Sequence, residues 1–100
     1  MIKREENPDF LNAFLDYSTT ILNKSPNSIK EYNYDLAMFF KFVNKSYKSI
    51  TTDDIRVYLA IARKNNNETS IDNKRRYLNS FFDWCFNEEL IERNPVQKID

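Results

Sequence analysis

The apolar residues of this chain recur every three or four positions, and proline and asparagine punctuate the runs between them. Phe10, Leu11, Phe14, Leu15, Ile21 and Leu22 keep helical spacing, with Ser18 filling the gap in their stripe. Asn7-Pro8 precedes them, a capping side chain followed by a ring whose fixed φ suits the first helical position. The pattern predicts a first helix over about residues 8–22, its ends good to a few positions. Ser25-Pro26 repeats the start signal, and Ile29, Tyr32, Leu36, Phe39, Phe40 and Val43 mark one face of a second helix ending near Asn44. Thr52-Asp53-Asp54 opens a third helix, whose carboxylates suit the positive end of the helix dipole. Its inward stripe is Ile55, Tyr58, Leu59 and Ala62.

Asn65-Asn66-Asn67 then breaks the pattern, and asparagine is expected to supply the left-handed geometry that glycine gives elsewhere at helix ends. Thr69 or Ser70 is expected to cap a fourth helix that runs to about residue 89 and turns Ile71, Leu78, Phe81, Phe82 and Cys85 inward. Asn94-Pro95 ends regular structure, because the residue before a proline is pushed out of the helical region. No segment sustains a period of two, so the fold class is all-α. One four-helix domain over residues 8–93 is expected, with a tail over 1–7 and the start of a linker over 94–100.

Composition narrows the chemistry. A hydrophobic fraction of 41%, with eight Phe and six Tyr, can fill a core, so one hundred residues make one domain. The absence of Gly excludes a glycine-rich phosphate cradle, and the absence of His removes the usual general base and the commonest metal ligand. The single Cys85 forms no internal disulfide or cysteine-rich zinc site and suits a reducing compartment. No apolar run reaches the length of a membrane span. The chain is therefore not read as an enzyme, and no cofactor, metal, membrane or small-molecule substrate is expected. Adjacent acids such as Asp53-Asp54 or Glu88-Glu89 do not face each other on a helix and make no catalytic pair.

The formal net charge is zero, but its distribution is uneven. Residues 24–49 hold five basic and two acidic side chains, and residues 63–79 repeat that balance; the segments around them are net acidic. Two basic blocks on one folded surface would form a footprint for a phosphate backbone, and ordinary surface charge is the alternative.

Three stretches then resemble one family. Ser25-Pro26-Asn27-Ser28-Ile29 leads into Tyr32, Asp35-Leu36, Phe39 and Phe42. Ile50-Thr51-Thr52-Asp53-Asp54-Ile55 is followed by Tyr58-Leu59. Thr69-Ser70-Ile71 runs through Leu78 and Phe81-Phe82-Asp83-Trp84 to Leu90-Ile91 and Asn94-Pro95. In order and spacing they are similar to the N-terminal SAM-like core-binding domain of the tyrosine recombinases, the Xer and phage-integrase family, over roughly residues 8–99. The sequence departs from the family where Asn79 follows Leu78 in place of a frequent Arg, and where Asn-rich sequence replaces a Gly before the fourth helix.

The resemblance implies a SAM-like four-helix bundle that clamps double-stranded DNA at a recombination site, in a bacterial or phage-derived protein of the cytoplasm and nucleoid. The partners it implies are duplex DNA, a catalytic domain of the same parent chain, and neighbouring recombinase protomers. The family's catalytic His has no counterpart here, and none of the six Tyr is read as a nucleophile; Tyr32 and Tyr58 belong to apolar faces.

The helix starts supply the physical argument for contact. The first turn of the second helix presents backbone N–H groups at its dipole end, to which Asn27 and Ser28 add side-chain donors and Lys30 adds charge. Tyr34 stands one position off the apolar stripe, placed to pack on a sugar or phosphate. On the fourth helix Thr69 and Ser70 lie at the dipole end, followed by Asn73, Lys74, Arg76 and Asn79. Arg76 is the strongest candidate to reach the groove, while Arg75 is expected to bury its stem along the stripe edge. Phosphate positioning is expected to dominate over base reading. Lys41, Lys45 and Lys48 are assigned to the favourable C-terminal end of the second helix. Trp84 and Phe86 are read either as a surface for another domain or protomer, or as packing against the first helix. A helical protein-interaction module that binds no DNA is the rival reading of the whole chain.

Overall fold

The computed structural model describes residues 6–96, with side chains from residue 10 onward. Of the expected tail over 1–7 and linker over 94–100, residues 1–5 and 97–100 lie outside the described residues. Helix α1 spans Glu6–Thr20, α2 Pro26–Val43, α3 Thr52–Arg63 and α4 Glu68–Asn87, with a short 3-10 turn at Tyr47–Ser49. No strand occurs among the described residues. The chain comprises two compact units, Met1–Tyr47 and Lys48–Asp100.

In the first unit α1 packs on α2. Leu11 and Phe14 of α1 are buried, as are Tyr32, Leu36, Phe39 and Phe40 of α2, so the helical period chose the inward face correctly. Phe14 meets Tyr32 with ring centroids 5.7 Å apart, and Phe10 meets Tyr47 at 4.4 Å. Such tilted pairs add to area burial that already contributes about 1.5–3 kcal/mol per large side chain. Ser18 fills its place in the stripe, fully buried, and its Oγ has no hydrogen-bond partner among the described residues.

The first helix departs from expectation at both ends. It begins at Glu6, ahead of Asn7-Pro8, because a proline is tolerated anywhere in a first turn whose N–H groups have no intrahelical acceptor. It ends at Thr20, where the Thr19 and Thr20 hydroxyls donate to Leu15 O and Asp16 O. Leu22 N–H and Lys24 N–H then reach back to Tyr17 O and Ser18 O, with Asn23 left-handed at φ 55°. Ile21 and Leu22, expected in the stripe, are consequently exposed. Helix α2 matches its signals closely: Ser25 is the N-cap, Pro26 opens the helix, and Asn44 closes it at φ 55° with its N–H on Phe40 O.

In the second unit α3 packs on α4. Thr51 caps α3 through a reciprocal box, its Oγ1 accepting from Asp54 N–H at 3.1 Å while its own N–H donates to Asp54 Oδ2 at 2.9 Å. Ile55, Tyr58 and Leu59 are buried and Ala62 is half-buried. The asparagine run does not adopt left-handed geometry. Lys64 ends α3 in the right-handed region, Asn66 Nδ2 donates to Ala62 O at 2.7 Å, and Asn67 begins the next helix. These side chains satisfy the helix ends directly, so no positive φ is needed.

The cap of α4 is therefore Asn67 and neither Thr69 nor Ser70: its Oδ1 accepts from Ser70 N–H at 2.9 Å. Arg63 and Glu68 pair at 3.1 Å across the connection. Ile71, Leu78, Phe81, Phe82 and Cys85 are all buried, and Phe81 meets both Phe82 (5.1 Å) and Trp84 (6.2 Å). Helix α4 stops two residues early, because Glu89 turns left-handed at φ 61°. Glu89 N–H bonds Phe86 O and Leu90 N–H bonds Cys85 O, closing a Schellman motif. The chain then folds back: Asn94, Pro95 and Val96 are buried, and Thr52 Oγ1 donates to Pro95 O at 2.7 Å.

Candidate nucleic-acid interface

The two sets of candidate residues occupy different units, on α2 and on α4. At the start of α2 the supply of backbone donors is smaller than the bare dipole argument implies. Pro26 has no N–H, Ser28 N–H is taken by Ser25 Oγ at 3.2 Å, and Ile29 N–H bonds Ser25 O. Asn27 N–H is the first-turn donor that the cap leaves over. The half-buried Ser28 accepts from Ser25 Oγ at 3.1 Å, so its hydroxyl belongs first to the cap. Asn27, Lys30 and Tyr34 fall at i, i+3 and i+7 and share one exposed stripe, which Ser28 does not join. Tyr34 is 64% exposed, whereas Tyr32, two positions earlier, is buried. Lys30 has no ion-pair partner among the described residues.

On α4, Thr69, Asn73 and Arg76 fall at i, i+4 and i+7, opposite the buried stripe of Ile71, Leu78 and Cys85. Thr69 and Arg76 are exposed and Asn73 is half-buried. Ser70 and Lys74 lie together on a flank, both half-buried, and Ser70 N–H is committed to Asn67. The neighbouring cations are drawn to acids: Arg63 to Glu68, and Arg75 to Asp72 at 3.6 Å, with the Arg75 stem partly covered as expected. Arg76 has no such partner among the described residues, so its five donors face solvent. The outer stripe of α4 thus offers an always-charged fork with polar neighbours one and two turns earlier.

Asn79 is exposed one turn beyond Arg76, and its Oδ1 accepts from Asn94 Nδ2 at 3.0 Å. The sequence places Asn94 at the start of a linker and gives it no partner. No local pattern reveals its role, because the two residues are 15 positions apart and neither belongs to an apolar stripe. Trp84 is half-buried beside Phe81, and Phe86 is 42% exposed. Among the described residues no three His, Cys, Asp or Glu gather as metal ligands, and no helix is long and apolar enough to cross a membrane.

A family model described as the phage integrase N-terminal SAM-like domain matches residues 11–89. The chain is 27% identical to the tyrosine recombinase XerC of Caldanaerobacter subterraneus subsp. tengcongensis, over 93% of this chain and 33% of that protein. It is 33% identical to XerC of Listeria monocytogenes serotype 4a (strain HCC23), over 86% of this chain and 30% of the relative. It is 28% identical to a tyrosine recombinase of Thermosipho africanus, over 89% and 34%. The chain spans about a third of the length of these relatives. No solved structure matches.

Proposed function

Because the chain belongs to the phage integrase N-terminal SAM-like domain family, an all-α fold, we propose that it binds duplex DNA and helps hold a tyrosine recombinase on its recombination site. The observation that supports this most directly is the outer stripe of α4. There Arg76, exposed and free of an acid among the described residues, continues a row begun by Thr69 and Asn73. The stripe of Asn27, Lys30 and Tyr34 on α2 is a second, smaller contact of the same kind: one spare backbone donor, one cation and one exposed ring. Phosphate contacts dominate in this reading, since cations and helix-start donors position a protein on the backbone without reading sequence. Ser28, Ser70 and Lys74 play supporting roles, the first two through the caps they complete. In this reading the domain itself performs no chemistry; a catalytic domain and other protomers of a parent recombinase are its protein partners, in the bacterial cytoplasm.

The test is a titration of the chain against random-sequence duplex, with single-stranded DNA as the control, over a range of salt. Duplex affinity should fall steeply with salt, and Arg76→Ala should weaken binding on all sequences alike while lowering the salt slope by about one. An unchanged slope in Arg76→Ala removes that residue from the interface. No duplex binding even at low salt refutes the reading for this chain and favours a protein-interaction module, for which the exposed Met38 and Phe42 of α2 are the apolar surface.

A further inference from the structure

We propose that Asn94 is a positioning residue that fixes the polarity of the Asn79 amide, so that Asn79 offers duplex DNA a hydrogen-bond donor and seeks an acceptor there. The inference rests on the duplex-binding reading above and adds to it the chemistry of one contact. It begins at an unambiguous donor. Val96 N–H is a backbone amide and can only donate; it lies 2.8 Å from Asn94 Oδ1 in a buried setting. The Asn94 side chain is therefore oriented with its oxygen toward Val96 and its nitrogen on the other side. That nitrogen can only donate, so the atom of Asn79 that faces it at 3.0 Å must be the oxygen. An amide whose oxygen is held in this way turns its NH2 away from Asn94, and the oxygen keeps one further lone pair. Asn79 is exposed, on the same helix as Arg76 and one turn beyond it, and its Nδ2 has no hydrogen-bond partner among the described residues.

The relay is held rigidly. Asn94 is 5% exposed and Val96 4%, and the peptide between them is anchored when Thr52 Oγ1, at the first residue of α3, donates to Pro95 O at 2.7 Å. A free asparagine presents either of its amide ends with equal ease; this one is locked. Arg76 and the Asn79 NH2 then form a pair of donors along α4, complementary to phosphate oxygens or to the purine acceptors of the major groove.

Duplex affinity is measured by fluorescence anisotropy on two duplexes of unrelated sequence, with thermal unfolding of every variant alongside. Asn79→Asp keeps the acceptor toward Asn94 and so keeps the local fold, but has no NH2. It should lose about tenfold in affinity with little change in melting temperature, and the loss should persist at high salt, where added charge is screened. Asn94→Ala should lower affinity several-fold when residue 79 is Asn. It should leave affinity unchanged in an Asn79→Arg background, because guanidinium donates in any orientation and needs no relay. An equal loss in both backgrounds would mean that Asn94 merely supports the fold, and would overturn the proposal. Should Asn94→Ala prove too unstable to assay, Asn79→Asp still tests the donor on which the relay depends: a loss supports it and unchanged affinity sinks the relay. A uniform loss on both duplexes assigns the acceptor to phosphate, an unequal loss to a base edge. Failure of the unaltered chain to bind duplex would refute the duplex-binding reading and the relay with it; binding with unaffected variants would refute the relay only.

Discussion

Ser18 sits in the inward stripe of α1 with its hydroxyl fully buried and without a hydrogen-bond partner among the described residues. Its neighbours Thr19 and Thr20 show the usual solution, donating to carbonyls four residues back. Ser18→Ala should therefore stabilise the protein. A hydroxyl buried without a partner costs about 1–3 kcal/mol, and alanine adds roughly 0.5 kcal/mol of helix propensity. The opposing term is the lost packing of one oxygen, about 1 kcal/mol on the scale of a single methylene. The balance is a gain of about 1 kcal/mol, which raises Tm by about 4–8 °C in a domain of this size. Calorimetry gives the shift, and urea unfolding at unchanged m-value shows that the native state, not the unfolded one, has changed. A loss of stability in Ser18→Ala would refute the reasoning, since it would require a partner for the hydroxyl. Thr20→Ala is the control and should change little, because its hydroxyl is exposed.

Two further predictions concern the end of α4. Glu89 holds φ 61°, where a Cβ crowds the following carbonyl, so Glu89→Gly should raise the urea midpoint by up to about 1 kcal/mol of stability, less the entropy that glycine adds to the unfolded chain; a lowered midpoint would show that the Glu89 side chain contributes more than its backbone costs. Burial pushes the Cys85 thiol up to about 12. The unfolded chain then releases this proton before the native state does, so stability falls as pH rises from about 9 towards 12. Urea unfolding across that window should show a shallower pH slope in Cys85→Ala than in the unaltered chain, and equal slopes would refute the assignment. In the native protein the same thiol should resist alkylation at pH 8 until the chain is unfolded.

Most of the helical architecture was legible because its causes are local. The period of three and four separates Tyr32 from Tyr34 and puts Leu78, Phe81 and Cys85 on one face, and burial follows that separation. Ser25-Pro26 marks its helix start without competition. The failures have equally local reasons. From Asn65 to Ser70 nearly every residue can cap, so the choice of Asn67 depended on where α3 released the chain. Thr19 and Thr20 turned their hydroxyls to the backbone and helped stop α1 before Ile21 and Leu22 could reach the stripe.

The candidate site was legible to a lesser degree, and the reason is the range of the interactions that shape it. An exposed arginine off an apolar stripe, such as Arg76, follows from periodicity alone. Whether such a cation is available depends on its neighbours: Asp72 stands three residues before Arg75 and four before Arg76, both spacings that can pair, and it takes Arg75 at 3.6 Å. What an exposed asparagine offers is a different matter. Its two ends are nearly equal in size and opposite in hydrogen-bonding sense, so its chemistry is set by whatever holds one end. For Asn79 the holder is a residue 15 positions later, whose own orientation is set by the backbone two residues beyond it. Asn94-Pro95, expected to end regular structure, is not the stop, since α4 has already ended at Asn87. Beyond that end Asn94 is buried with its amide on Asn79 of α4, Pro95 O accepts from Thr52, and the donor sense of Asn79 follows from that arrangement. A substitution at Asn94 should consequently alter recognition through a residue it does not replace, and such coupling is what a double-mutant cycle detects and a single substitution cannot.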